Sequence, residues 1–344
     1  MKRLEAPMAD VAQVRGVTPR IALVGAGHWG RNWARTLAGL GALAGVWDED
    51  AARARSVAEP LGVPHGGGLA ELLDGPAIDG VVLATPVPLH VAHGLAVLGA
   101  GKHVLVEKPL ALDAAGAEAL VRMAVARGLQ LAVGHVLEYH AGVVALGEAV
   151  RGGLIGPVRH VRARRLNLGK VRTAEDVWWS LAPHDVAMVL GLMAEAPETV
   201  TAHGLHHLGT PRADEVHAWL GFTGGRTAHI HVGWLEPEKV QECLVIGHDG
   251  MLRFIDGPDG GRVLLQRRGV RWVDGQPEVH DDGEERLPFV SVPPLEAQAR
   301  AFLEAVSSGR PVLADGLAGL AVVRVLEEVA TRMLHRVHAG GQAV

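Results

Sequence analysis

The chain is poor in cysteine, in net positive charge and in long apolar runs, and each shortage removes a class of protein. Cys243 is its single cysteine in 344 residues. That excludes an internal disulfide framework and a thiolate metal cage, and it suits a reducing compartment, so a cytoplasmic address is expected. A formal net charge of -5 and a pI near 6.4 argue against a generally basic surface, so neither nucleic acid nor a membrane is an expected partner. A polyanionic ligand would need a local basic cleft. The stretch from Gly80 to Gly101 lacks charge, but Pro86, Pro88, His90 and His93 interrupt it, and it parses as a strand, a turn and a helix rather than a membrane span. Residues 1–16 contain acidic side chains and no apolar centre, so they are expected to be a frayed extension, with Met8 an alternative start. Gly 45 and Pro 19 are scattered, which reads as turns. No internal repeat and no long linker is found.

What is present suffices for two domains. Hydrophobic residues make up 48% of the chain and charged residues 21%, a composition that folds. From Arg20 to His135, apolar runs at 21–25, 43–48, 80–86, 102–109 and 129–135 alternate with amphipathic segments. Continuous apolar strands between helices predict βαβ units and a doubly wound parallel sheet, the α/β Rossmann class, over residues 19–137. After about residue 155 the pattern changes to period-2 alternation with short turns, followed by two helical stretches. This predicts an α+β domain over 138–344 with a large, mainly antiparallel sheet, one face packed and the other solvated or covered by a partner.

Gly25-Ala26-Gly27-His28-Trp29-Gly30 closes the first strand and opens a helix. Glycine permits the tight turn and lets a pyrophosphate approach the positive helix end, so Gly25, Gly27, His28, Trp29 and Gly30 are candidate cofactor contacts. Asp48 ends the next strand, where a carboxylate accepts from the adenosine ribose hydroxyls and repels a 2′-phosphate. NAD is therefore expected over NADP, although Arg53 and Arg55 downstream weaken that preference.

Glu107-Lys108-Pro109 stands at a strand's carboxyl edge, where open α/β sheets place their ligands. With this motif, the run from Ala84 through Leu112 and the following Val133-Gly134-His135, the chain resembles the glucose-fructose oxidoreductase / inositol dehydrogenase (Gfo/Idh/MocA) family from residue 20 to 335. The resemblance implies an NAD-dependent dehydrogenase of sugar hydroxyls. It implies cofactor contacts at Thr85, Pro86, His90, Glu107, Lys108 and His135, with Lys108 beside the reacting hydroxyl. A partly desolvated ammonium is also suited on its own chemistry to stabilise a forming alkoxide.

His184 is the second expected catalytic residue, a general base, or in the plainer reading a capping residue at the start of an apolar helix. The family commonly has an aspartate four residues earlier; Ser180 stands there, so either His184 works with Lys108 alone or Asp185 orients it. Asn167, Lys170, Arg172 and the segment from Trp178 to Asp185 resemble one branch, the 3-dehydrogenases of UDP-N-acetylglucosamine and of its uronate. Lys170 and Arg172, with Arg164 or Arg165, suit a diphosphate or a carboxylate, or else form a solvated strand face. Tyr139, Arg165, Asn167, Lys170, Arg172, Trp179 and Asp185 are thus the expected substrate set, while Glu138 and His140 share the domain crossover with Tyr139. A free polyol or monosaccharide as substrate and a non-catalytic NAD-binding protein are the alternatives. His203, His206, His207, His217, His229 and His231 are expected to be sheet-face residues and not metal ligands, because no carboxylate or cysteine accompanies them at a standard spacing. By resemblance, the C-terminal sheet is expected to join subunits into a dimer or tetramer.

Overall fold

A computed structural model describes residues 18–74 and 77–339, with side chains through Met333. The expected N-terminal extension lies outside the described residues.

The first layer runs β1 (Ile21–Val24), α1 (His28–Gly39), β2 (Leu43–Trp47), α2 (Ala51–Ala58), β3 (His65–Gly66), α3 (Leu69–Leu73), β4 (Gly80–Leu83), α4 (His90–Gly99), β5 (His103–Val106), α5 (Ala114–Arg127) and β6 (Leu131–Val133). These strands form a six-stranded parallel sheet in the order β3-β2-β1-β4-β5-β6. All four residues of β1 and of β4 are buried, because helices cover both faces and leave no solvated side. Reversal of strand order between β1 and β4 opens a crevice at their carboxyl ends, where the Gly25 turn, Thr85 and Glu107 lie.

The second layer begins with α6 (Ala141–Arg151), β7 (Val158–Leu166) and α7 (Val177–Met193). It continues through β8 (Thr199–Leu205), β9 (Glu215–Gly221), β10 (Thr227–Gly233), β11 (Val240–Gly247), β12 (Met251–Ile255), β13 (Arg262–Val273) and β14 (Gln276–Leu287). The chain closes with α8 (Pro294–Ser308) and α9 (Gly316–Ala339). The eight strands form one sheet in the order β14-β13-β12-β11-β7-β10-β9-β8, antiparallel except between β7 and β10.

Alternation decides the faces. Val216, Ala218 and Leu220 of β9, with Ala228, Ile230 and Val232 of β10, are buried in the core beneath α7 and α9. Each large aliphatic side chain so buried contributes about 1.5–3 kcal/mol. Their neighbours His217, Trp219, His229 and His231 lie on the opposite, open face.

Two elements differ from the sequence reading. Helix α7 starts at Val177, not near His184, because the Asp176 side chain accepts from Trp179 N at 3.0 Å and caps it. Pro183 therefore sits inside the helix, and His184 lies mid-helix, so it has no capping role. Strand β13 also continues to Val273 and pairs with β14, whose acidic Glu278 to Glu285 stretch carries no alternating apolar pattern. Asp274 and Gly275, with φ of 49° and 78°, make the tight turn between them. Finally, Ala299, Phe302 and Ala305 of α8 pack on the first sheet, while α9 contributes to both cores. The C-terminal helices thus clamp the two layers together across the expected boundary at residue 137.

Candidate functional site

The glycine loop is shaped by contacts that exclude side chains. A Cβ on Gly30 would lie 1.9 Å from the Gly25 carbonyl oxygen, and one on Gly25, at φ 96°, would lie 2.5 Å from Ala84 O. Gly27 differs, since nothing lies within 4 Å of its Cβ position. Gly27 also caps α1 without a side-chain bond, so the first-turn N–H groups face that space. Trp29 and Trp33 on α1 both donate through Nε1 to Glu107 Oε1, the latter at 2.7 Å, and Lys108 N donates to Oε2 at 3.1 Å. Trp33 went unnoticed in the sequence, although Trp29 and Trp33 are one helical turn apart. Burial raises the Glu107 pKa, and these donors oppose the rise.

Asp48 is buried at the end of β2, accepting from Ala26 N at 2.7 Å and Asp50 N at 2.9 Å. Arg53 Nη1 approaches it at 3.1 Å, so the cation foreseen as a complication does neutralise the carboxylate. The Thr85 hydroxyl and both ring nitrogens of His135 are buried without a hydrogen-bond partner. Unpartnered polar groups beside an open glycine turn fit a polar dinucleotide. His90 requires a correction. Its ring nitrogens lie 2.8 Å from Pro109 O and 2.9 Å from Thr85 O, so the buried ring sits between these two loops, its N–H donating to one of the two carbonyls, and neither nitrogen faces an open cofactor site. Pro86 begins the short turn of helix at Val87–Leu89 beside it.

Lys108 crosses to the second layer. Its Nζ donates to Ser180 O at 3.0 Å, one turn before His184 on α7. Burial lowers the Lys108 pKa, partly opposed by Glu107 and Glu175. His184 Nδ1 is buried and unpartnered, and its ring meets that of His135 edge-on at 6.3 Å. Burial, then Lys108, Arg165 and His135, hold the His184 pKa well below the usual histidine range. His135 falls to about 3 through burial and Lys108. Both imidazoles are therefore neutral near pH 7.

The expected substrate residues divide. Arg165 and Asp185 form a buried bidentate pair at 2.7 and 3.2 Å that joins β7 to α7, so neither is free for a ligand and Asp185 does not orient His184. Tyr139 accepts from Ala314 N at 3.3 Å and ties the crossover to the segment before α9. His140 Nδ1 accepts from Gly142 N at 3.0 Å as a helix cap, and Glu138 is buried with Oε2 unpartnered. In contrast, Trp179 lines a cleft of about 350 Å³ with Pro109, Glu175, Asp176 and Arg212; Lys108 precedes Pro109 in the chain but is not among the lining residues. Asn167, Lys170 and Arg172 occupy the loop from β7 to α7 that also supplies Glu175, and Arg172 Nε pairs with Glu175 at 3.2 Å. Arg212, distant in sequence, could not be placed at this cleft without the fold.

Comparison with known proteins agrees with this arrangement. The family described as an oxidoreductase family with an NAD-binding Rossmann fold matches residues 19–135, and its C-terminal domain matches 143–253. UDP-N-acetylglucosamine 3-dehydrogenase of Acidithiobacillus ferrooxidans is 32% identical over 313 residues, covering 90% of this chain and 96% of that protein. A solved structure of that dehydrogenase superposes with a TM-score of 0.81 at 31% identity, covering 92% of this chain and 98% of the other. Inositol 2-dehydrogenase 1 of Saccharopolyspora erythraea is 35% identical over 198 residues, covering 54% of this chain and 58% of that protein. Among the described residues, no helix is long and apolar enough to cross a membrane. The chain belongs to the Gfo/Idh/MocA oxidoreductases and is an NAD-dependent dehydrogenase whose first domain is their NAD-binding Rossmann fold.

Proposed function

We propose that this dehydrogenase oxidises a ring hydroxyl of a sugar, the 3-hydroxyl of a UDP-N-acetylglucosamine-type nucleotide sugar, to the ketone. The observation that carries the reading is the approach of Lys108, from the first domain, to α7 one turn from His184. Bound NAD supplies a hydride acceptor at nicotinamide C4. The protein's part is positional and electrostatic. Neutral His184 takes the hydroxyl proton, the Lys108 ammonium donates to the oxygen as charge grows on it, and the C–H electron pair leaves as hydride while C=O forms. Gly25, Gly27, His28, Trp29 and Gly30 would hold the pyrophosphate side, Asp48 the ribose, and Thr85, Pro86, Glu107 and His135 the nicotinamide side. Glu107 is kept in place by the two tryptophans.

The substrate class rests on the cleft lined by Pro109, Trp179 and Arg212 and on the 32% identical relative. Arg212 in the cleft, with Lys170 and Arg172 on the adjoining loop, offers cations for a diphosphate in an otherwise acidic protein. Residues 19–137 would form the cofactor domain and 138–344 the substrate domain. The molecule would be cytoplasmic and would assemble through its second sheet, whose protruding hairpin exposes Val270, Trp272 and Val279. Incubation with NAD and each of UDP-N-acetylglucosamine, its uronate, inositol and glucose tests the substrate. NADH should form with a UDP-sugar; formation with inositol or glucose alone would replace this reading with that of a free-polyol dehydrogenase.

A further inference from the structure

The open face of the second sheet holds a cluster that the dehydrogenase chemistry does not use. Glu215, His217 and Trp219 alternate along β9, and His229 and His231 along β10. The register sets His217 opposite His231 and Trp219 opposite His229. Their rings stack, with centroids 4.0 Å apart for His217 and His231 and 4.7 Å for Trp219 and His229. Glu215 Oε1 lies 2.8 Å from His231 Nε2 and 3.2 Å from His217 Nε2. Its Oε2 lies 3.2 Å from Nε2 of His207, on the loop between β8 and β9. No carboxylate stands at a standard motif spacing from these histidines in the sequence, but the fold brings one to them. The two-residue step of a strand and the pairing across the hairpin bring Glu215 to them, and neither is a spacing found in helical or loop metal motifs.

We propose that Glu215, His217 and His231 form a binding site for a divalent transition metal of the zinc type, with His207 as an available fourth donor. The three donor atoms lie within 4.8 Å of one another. Tetrahedral zinc with ligand distances near 2.0–2.1 Å has donor–donor edges of roughly 3.3 Å, so small side-chain rotations would suffice. Glu215 is held below its ordinary carboxylate range by the histidines against the cost of burial, and burial lowers His231. Arg162 and Arg164 on neighbouring β7 further discourage imidazolium on this face, while Glu242 pairs with both arginines. Two or three imidazole nitrogens with one carboxylate are a donor set that suits zinc and not magnesium or calcium. An outer contact is present as well. His217 Nδ1 lies 3.2 Å from His229 Nε2, which leaves the His217 Nε2 lone pair for a metal when Nδ1–H donates.

The ion would staple β9 to β10 and, through His207, secure the loop that carries Arg212 to the substrate cleft. Untagged protein, stripped with chelator and then titrated calorimetrically with zinc, should bind one equivalent per chain. Cobalt in its place should give the visible absorption of a four-coordinate ion. Glu215→Gln and the pair His217→Gln, His231→Gln should each weaken zinc binding at least about tenfold with NAD binding unchanged. If the histidine pair loses NAD binding through misfolding, Glu215→Gln, which preserves size, decides alone. Absence of saturable zinc binding, or the same affinity in a correctly folded Glu215→Gln variant, would overturn the site without touching the dehydrogenase reading.

Discussion

Lys108 Nζ and the carbonyl oxygen of Ser180 lie 3.0 Å apart, and this contact joins the cofactor layer to the helix that carries His184. At Ser180 the lysine is met by main chain and not by a carboxylate. The ammonium is left without a dedicated anionic partner on α7, so it can turn to a developing oxyanion without first breaking an ion pair.

Lys108→Met should therefore lower turnover by at least about a hundredfold, the scale on which one electrostatic donor acts. NAD affinity should change little, because the proposed role of Lys108 is at the reacting hydroxyl and not at the pyrophosphate. Steady-state rates with the active sugar, together with fluorescence titration of NAD, check both halves.

The pH profile follows from two depressed pKa values. His184 lies well below 6.5 in the folded protein, so kcat/KM in the free enzyme should show no acidic limb near 6.5 and should stay level down to a lower pH. Lys108 is lowered from 10.5, so the alkaline fall, as the ammonium loses its proton, should begin earlier than an exposed lysine would give. A bell centred on ordinary histidine and lysine values would contradict this assignment.

Glu138 gives a stability test. Burial, then Asp315, raises its pKa from 4.5 to about 7. The folded state holds the proton more tightly than the unfolded state, so the associated stability is present below about 4.5 and is lost as pH rises to about 7. Glu138→Gln should flatten the fall in melting temperature across that window, as read by thermal denaturation at several pH values.

The Arg165–Asp185 pair should behave as a buried structural bridge. Asp185→Asn alone leaves an uncompensated guanidinium and should cost about 3–5 kcal/mol in denaturant unfolding, whereas Arg165→Met with Asp185→Leu should recover much of that loss.

These residues also mark how far the sequence could be read. The glycine turn, Asp48 and Glu107-Lys108-Pro109 were legible because their chemistry lies in contiguous motifs at strand ends, and continuous apolar runs identified the parallel sheet. Arg165 was read as a contact for a diphosphate or carboxylate, Asp185 through the motif shared with one branch of the family, and Tyr139 as a contact for sugar hydroxyls. Burial and long-range pairing between β7 and α7 commit Arg165 and Asp185 to each other, and Tyr139 also accepts from Ala314 N; a linear pattern carries none of these contacts. Arg212 and Glu215 were missed for the complementary reason: only strand register and loop packing bring them to their neighbours. Strand β14 escaped because its acidic residues, solvated on both sides of a protruding hairpin, show no alternation.

The most direct measurement is a crystal structure of the protein with NAD bound. Lys108 Nζ and the His184 imidazole should both face the nicotinamide C4 with room for one hydroxyl-bearing carbon between them. A nicotinamide ring bound away from α7, with the two side chains turned from it, would contradict the account.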